Sequence, residues 1–456
     1  MYVNNQEVMP ATMESLPVEL VAHVATYLGF QHVCSLRLAS RTLAGKLCPA
    51  NLPRFFAYKN VKLDYQSLND FVYMTYPGRA GCVLKHCTIT GVIVGEPSEP
   101  ALTRLLHDAF VNLKRNSPRA SLVSLHINAR SPPEDIWDDN ELSLEGDGSS
   151  GFRAWRNRRL IRYTAQQTFE ITMTALRECR LPVSEYFKLL GVVQGCSLSY
   201  CNALPPITQL ASSMTVFSLL KKLTMSLSSK QILSVKIPNI TYDQRMYDNI
   251  YVRQSMHGSS LLQGLLVILE SMPHLEELDI RWLNITSSDL TSEEDKTIDL
   301  DIAPPLVSPP FNLKACSLRG LYVSGEYLLR YLQAARPTKL TLADIHLIPG
   351  TWTPIFEHLS SSISPTIFYH LDDLQEGKAK GEGLGSLVHF DGVPGQSKFP
   401  YQGVQMGPST LTRQMGEVGT RIRYQCTTQR PLESGERERW LWSKKTEFSP
   451  PSIMFQ

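Results

Sequence analysis

Five arginines, Arg153, Arg156, Arg158, Arg159 and Arg162, crowd ten residues of the sequence and are its densest concentration of one chemistry. Guanidinium forks donate paired hydrogen bonds to oxyanions, and the stretch from about Tyr163 to Cys179 reads as a helix whose first amides also donate. A phosphate-binding helix start is one reading. Neutralisation of the acidic stretch Glu134 to Asp147 just before it is the other. Cys82, His86 and Cys87, or Cys196 and Cys201, carry metal-ligating atoms. Structural zinc sites pair such residues more tightly and twice over, so core thiols are expected, with no metal and no cofactor. The sequence carries no Gly-rich phosphate loop and no nucleophile elbow, and a non-enzyme is expected. An active site assembled from residues distant in sequence stays open as an alternative.

The strongest pattern lies at the N-terminal end, from Leu16 to Leu47. Pro17 suits a first helical turn because it has no amide hydrogen to leave unpaired, and Glu19 sits where the helix dipole favours negative charge. Leu20, Val24, Tyr27 and Leu28 recur at helical spacing, and Gly29 closes that segment. A second stripe runs through Val33, Leu36, Ser40, Leu43 and Leu47 until Pro49 stops it. Such a short segment exposes more apolar side chain than it buries by itself, so a partner surface is expected to cover the surplus.

The Leu16, Pro17, Glu19, Leu20 opening, the Tyr27 and Leu28 close, and the run Leu36, Arg37, Leu38, Ser40, Arg41 resemble the F-box. The stretch from Phe55 to Gly91 is also similar to the region after the F-box in many filamentous-fungal proteins of this kind. The resemblance implies a short three-helix module that packs on a Skp adaptor and through it reaches a cullin, with no enzymatic activity of its own. Leu16, Pro17, Leu20, Val24, Leu28, Val33, Leu36 and Leu43 are the residues it assigns to adaptor contact. A protein substrate of unknown identity completes the expected partner set. An F-box scaffold outside any ligase is the alternative.

Further along, apolar residues recur at positions one, four, six, nine and eleven of a repeated phrase. Leu84, Cys87, Ile89, Val92 and Val94 fit it, as do Leu275, Leu278, Ile280, Leu283 and Ile285, and Leu313, Cys316, Leu318, Leu321 and Val323. Leu340, Leu342, Ile345 and Leu347 supply its later part; Leu122, Leu125 and Ile127, and Leu220, Leu223 and Met225, are shorter matches. The phrase is that of a leucine-rich-repeat strand. Cys316 and Leu340 lie 24 residues apart but Leu278 and Cys316 lie 38 apart, so the array is irregular. Helices are expected at Leu261 to Met272 and Tyr327 to Ala335. The fold class that follows is α/β: a short N-terminal three-helix F-box and an irregular leucine-rich-repeat-like solenoid.

The expected division is an F-box over 13–50, first repeat-like units over 51–130, an acidic loop over 131–151, the substrate-binding repeat-like domain over 152–371, a Gly-rich linker over 372–410, and a C-terminal element and tail over 411–456. Residues 131–151 hold seven acidic residues and no basic one, and 286–310 hold six acidic residues and four prolines. With 45 Lys plus Arg against 43 Asp plus Glu, the balance points to no nucleic-acid partner. The apolar stretch Leu261 to Leu269 is too short for a membrane span. Met1 to Pro10 is polar and reads as no secretory signal, and nine scattered cysteines suit a reducing compartment, so cytoplasm or nucleus is expected.

Overall fold

The computed structural model describes residues 12–47, 55–92, 99–129, 148–190, 197–212, 216–228, 230–232, 252–254, 258–282, 311–347, 350–377, 386–393, 407–414 and 416–428. Three short helices come first: α1 (Val18–Thr26), α2 (Phe30–Ala39) and α3 (Arg41–Leu47). The single stripe from Val33 to Leu47 is therefore two helices. Ser40 breaks it: its backbone is extended, and its Oγ accepts from the amides of Thr42 at 3.2 Å and Leu43 at 3.4 Å, which caps α3. Val21, Ala25, Val33, Leu43 and Leu47 form a small core of their own, flanked by Met13, Leu16, Leu28, Leu36 and Phe55. Lys46 ties the entry to α1 down, donating to the carbonyls of Glu14 at 2.6 Å and Leu16 at 2.7 Å.

The remainder is mixed α/β, built on a large and mostly parallel sheet. Its strands are β1 (Tyr58–Lys62), β2 (His86–Gly91), β3 (Leu122–Ala129), β4 (Val183–Leu189), β6 (Lys222–Ser228), β9 (Glu277–Trp282), β10 (Ala315–Arg319), β12 (Lys339–Ala343) and β14 (Phe368–Asp372), with the antiparallel β17 (Thr410–Arg413) at the far edge. The short β5 (Leu198–Ser199) pairs with β6, and β7 (Lys230–Ile232) pairs with β8 (Val252–Gln254) apart from the main sheet. Strand order follows chain order throughout, so every crossover steps the same way across the sheet. Crossovers of one hand then gather the helices on one face.

Those helices are α4 (Tyr65–Met74), α5 (Glu99–Asn116), α6 (Gly148–Cys179), α7 (Tyr200–Ser212), α8 (Gly258–Ser271), α9 (Gly325–Ala335) and α10 (Thr353–Ser360), each packed on the next. Leu102, Leu106, Ala109, Phe110 and Leu113 give α5 one buried face, and Leu328, Tyr331, Leu332 and Ala335 do the same for α9. Among the described residues, no helix is long and apolar enough to cross a membrane.

Two apolar positions of each strand, two residues apart, form the core row. Cys87 and Ile89, Leu125 and Ile127, Phe187 and Leu189, Leu223 and Met225, Leu278 and Ile280, Cys316 and Leu318, Leu340 and Leu342, and Tyr369 and Leu371 are all buried, and they face their counterparts in register from strand to strand. Each such side chain contributes roughly 1.5–3 kcal/mol on burial, which makes this row the main source of cohesion. The phrase found in the sequence is thus the strand core. Its later positions continue into a second sheet, where β11 (Tyr322–Val323), β13 (His346–Leu347) and β15 (Gln375–Glu376) run parallel, followed by β16 (Ser386–Phe390) and β18 (Tyr424–Thr428).

The turn between the two sheets has one recurring device. The residue just after the strand is left-handed at Leu190, Gly320, Asp344 and Asp373, and its amide donates to a carbonyl of the neighbouring unit at 2.9–3.1 Å. Asp and Gly tolerate that conformation better than most residues. A left-handed residue also closes α9 at Arg336, with φ +44. Arg336→Gly is expected to raise stability by about 0.5–1 kcal/mol, since glycine removes the Cβ penalty; a lower denaturant midpoint would contradict this.

Two expectations need correction. Residues 372–410, read as a linker, contain β15 and β16, and β16 pairs antiparallel with both β15 and β18; the region extends the second sheet. Its glycines obscured that, although Leu387, Val388 and Phe390 carry a buried strand pattern. The helix expected from Tyr163 begins at Gly148 instead, so 148–151 belong to α6. The acidic stretch 131–147 and residues 286–310 lie outside the described residues.

Candidate functional site

Opposite the helices, the residues alternating with the apolar core row line up across the parallel sheet in three rows, some of them, such as Ser124, Thr224, Ser226 and Asp372, themselves buried. The first row runs Tyr58, His86, Ser124, then Tyr186, Lys222, Glu277, Ala315, Lys339 and Phe368. The second runs Asn60, Thr88, His126, Lys188, Thr224, Asp279, Ser317, Thr341 and His370, and the third includes Ser226, Arg281, Arg319, Ala343 and Asp372. Register, set by the buried row, places residues from distant parts of the chain side by side.

At the β1 end this face is aromatic. Tyr58 stacks on His86 with ring centroids 4.2 Å apart, His86 Nδ1 lies 2.9 Å from Ser124 Oγ, and His126 meets Tyr186 edge to face at 5.0 Å. Towards the middle it becomes charged. Lys222 pairs with Glu277 at 2.6 Å and sits over the Tyr186 ring, and Arg281 reaches Asp279 at 3.4 Å. Arg319 Nε donates to Ser317 Oγ at 3.2 Å. At the β14 edge His370 contacts Thr412 at 2.8 Å and Asp372 accepts from Thr410 Oγ1 at 2.5 Å.

The electrostatics follow from this layout. Burial, with Lys188 and His86 nearby, pushes the His126 imidazolium down to about 4, so the ring is neutral at physiological pH. Lys188 is held below its ordinary range by burial and by Arg281, and Arg319 is lowered by burial first. The middle of the face is thus a desolvated, cation-rich strip.

A pH prediction follows from His126. Its folded pKa lies below the unfolded value of 6.5, so the unfolded chain takes up the proton first, and stability present above pH 6.5 is lost as pH falls toward about 4. The loss is roughly 3 kcal/mol. His126→Gln is expected to flatten the decline over that window in denaturant titrations, and an unchanged slope would contradict it.

The residues expected to touch an adaptor divide. Pro17, Leu20 and Val24 are exposed, Leu20 by half. Leu16, Leu28 and Leu36 are half-buried against the three-helix core. Val33 and Leu43 are interior, so they hold the module together and offer no surface. Val18, Tyr27, Phe30 and Leu38 are exposed as well, Tyr27 at 79% and Leu38 at 89%. The Val33 and Leu36 stripe marks one side of α2, and Phe30, Cys34 and Leu38 mark the other.

The arginine cluster is not at a helix start. Arg153, Arg156, Arg158, Arg159 and Arg162 all lie inside α6, past the first four residues whose amides remain unbonded. The phosphate-cradle geometry is therefore not formed by that helix end. Cys82, His86 and Cys87 do not converge either. His86 faces the polar side, Cys87 is buried on the helix side with its thiol pushed up to about 12, and Cys82 Sγ contacts the carbonyls of Thr75 and Tyr76. Among the described residues, no three His, Cys, Asp or Glu side chains are arranged to hold a metal. Cys196 lies outside the described residues.

Neither a protein-family model nor a curated protein matches this sequence.

Proposed function

We propose that the chain is the substrate-receiving subunit of a Skp, cullin and F-box ubiquitin ligase. In this reading α1 to α3 are the F-box, and the strand-and-helix units form a leucine-rich-repeat-like solenoid whose helix-free face receives the protein substrate. The observation that carries it is the exposed apolar stripe of Leu20, Val24 and Tyr27 along α1, with Phe30 and Leu38 on α2. A module with so small a core gains little by exposing such residues unless another surface covers them. Support for the solenoid is the one-step strand order, the two buried positions per strand, and the left-handed residue at the turn. The ligase chemistry belongs to the partners; this chain raises the effective concentration of substrate lysines near the charged ubiquitin carrier.

The test is capture of a purified Skp-type adaptor by the full chain, with co-purification of the cullin as a second measurement. Adaptor and cullin together support the ligase. Adaptor without cullin selects the scaffold alternative, and no adaptor binding overturns both.

A further inference from the structure

Successive turns into the parallel strands carry basic residues at the rim where the helices end. Lys85 stands immediately before β2, Arg119 in the turn before β3, Arg180 in the turn before β4 and Lys221 immediately before β6, and all are exposed. Backbone bonds join these turns side by side. The Lys85 carbonyl accepts from the amides of Val123 at 2.8 Å and Ser124 at 3.1 Å, the Leu122 amide donates to the Pro182 carbonyl at 2.8 Å, and the Lys221 amide donates to the Glu185 carbonyl at 3.1 Å. From β2 to β6 the row crosses three strand spacings, about 14 Å, so its charges act together on anything laid along it. His86 feels them already: burial first and then Lys85 hold it below its ordinary range, with Arg119 adding to the fall and Glu185 opposing it.

Helix dipoles account for part of this collection. Arg115 and Arg177 lie in the last turns of α5 and α6, and Arg180 follows α6 directly, where carbonyl ends favour cations. That field dies away within a turn. Lys85 and Lys221 lie far past the ends of α4 at Met74 and α7 at Ser212, and only a short 3-10 turn, Ala80–Val83, precedes Lys85. Local carboxylates do not neutralise the row either. Glu178 and Glu185 are exposed beside it, yet among the described residues none of Lys85, Arg119, Arg180 and Lys221 has a carboxylate within ion-pair distance. On the next strand Glu276 and Glu277 are taken by Lys314 and Lys222.

We propose that this rim of β2, β3, β4 and β6 is a docking surface for an acidic segment of a partner protein. It concentrates positive charge on a chain that is nearly balanced as a whole, with 45 Lys plus Arg against 43 Asp plus Glu, and such a local excess steers and orients an acidic partner. A polyphosphate chain is the poorer match. Glu178 and Glu185 would stand against its backbone, and phosphate groups favour helix N-termini, whereas α5 and α6 turn their carbonyl ends to this rim. A protein can set a lysine or a hydroxyl opposite each glutamate. The inference goes beyond the ligase reading and needs neither the adaptor nor the helix-free face.

The experiment measures fluorescence anisotropy of the full chain with a labelled peptide in which Asp and Glu alternate with Ser. Binding is expected at low and at physiological salt, several-fold weaker at the latter. Lys85→Glu with Arg119→Glu and Lys221→Glu is expected to weaken it at least about tenfold. The same change of net charge at the far end of the array, Lys339→Glu with Arg421→Glu and Arg423→Glu, is expected to leave affinity within about twofold, because those positions lie beyond the reach of unscreened attraction. All of these side chains are exposed, so the melting temperature should stay level. Should the first variant fail to fold, Lys85→Gln and Lys221→Gln measured singly decide the same question, each with a smaller loss. Absence of binding at physiological salt, undiminished binding by the first variant, an equal loss in the far-end variant, or tighter binding of a mixed-sequence DNA duplex than of the acidic peptide each overturns the proposal.

Discussion

Leu20→Asp combined with Leu38→Asp is expected to weaken adaptor binding by about a thousandfold, measured by calorimetry with the purified adaptor, while leaving the fold intact. The magnitude comes from interface energetics: a buried anchor contributes about 2 kcal/mol or more, and two of them about 4 kcal/mol, close to three decades in Kd. Aspartate does more than truncate. In a covered apolar interface it leaves a charge without solvent or partner, so substitution by alanine is expected to cost less. In the free protein both side chains lie at the surface, Leu20 at 50% exposure and Leu38 at 89%, which is why circular dichroism and thermal melting should be unmoved. The neighbouring choice Leu36→Asp is a worse probe. Leu36 packs against the Val21, Ala25, Val33, Leu43 and Leu47 cluster, so its loss of binding would mix interface with unfolding. An adaptor affinity within threefold of the parent would remove the proposed role of this surface.

Much of the parallel sheet was legible because burial on alternate residues writes itself into sequence. Leu278 and Ile280, Cys316 and Leu318, and Leu340 and Leu342 announce their strands by that period and by the turn two residues later. Besides β1, two units were missed for a chemical reason. In β4 and β14 the fourth position is Phe187 or Tyr369, aromatics that a leucine pattern does not admit; Tyr369 is tolerated inside because Arg413 Nη1 donates to its hydroxyl at 3.1 Å. The start of α6 was hidden by Gly148, Ser149, Ser150 and Gly151, residues of low helix propensity that the following helix carries along.

The polar site was much less visible. Lys188, Asp279 and Arg319 are ordinary surface residues when read along the chain, separated by scores of positions. Only cross-strand register makes neighbours of them, and register is decided by the buried residues alternating with them. The five-arginine cluster shows the converse, since a conspicuous local concentration lies within a helix whose free amides are elsewhere.

Gly320→Ala is expected to be strongly destabilising, costing about 3–5 kcal/mol in chemical denaturation. Gly320 follows β10 with φ +75, and its amide donates to the carbonyl of Ala343 on the next unit at 2.9 Å. A Cβ built there would stand 2.2 Å from the carbonyl oxygen of Trp282 on the previous unit. Backbone lies on both sides, so relief requires separating β9 from β10 or giving up the bond to Ala343. The left-handed conformation alone is a smaller matter, about 1–2 kcal/mol for alanine, and the protein accepts Asp344 and Asp373 at the equivalent turns with φ +53 and +49. The two contributions separate experimentally through Gly320→Asn, because asparagine tolerates the conformation but still carries the Cβ. If close approach dominates, Gly320→Asn is nearly as damaging as Gly320→Ala, whereas Asp344→Gly, which only relaxes the conformational demand, is expected to shift stability by less than about 1 kcal/mol apart from the lost contact to His346. A Gly320→Ala protein that melts within about 2 °C of the parent would show that the units are not locked together at this point, and that the turn yields without disturbing the strand register on which the polar face depends.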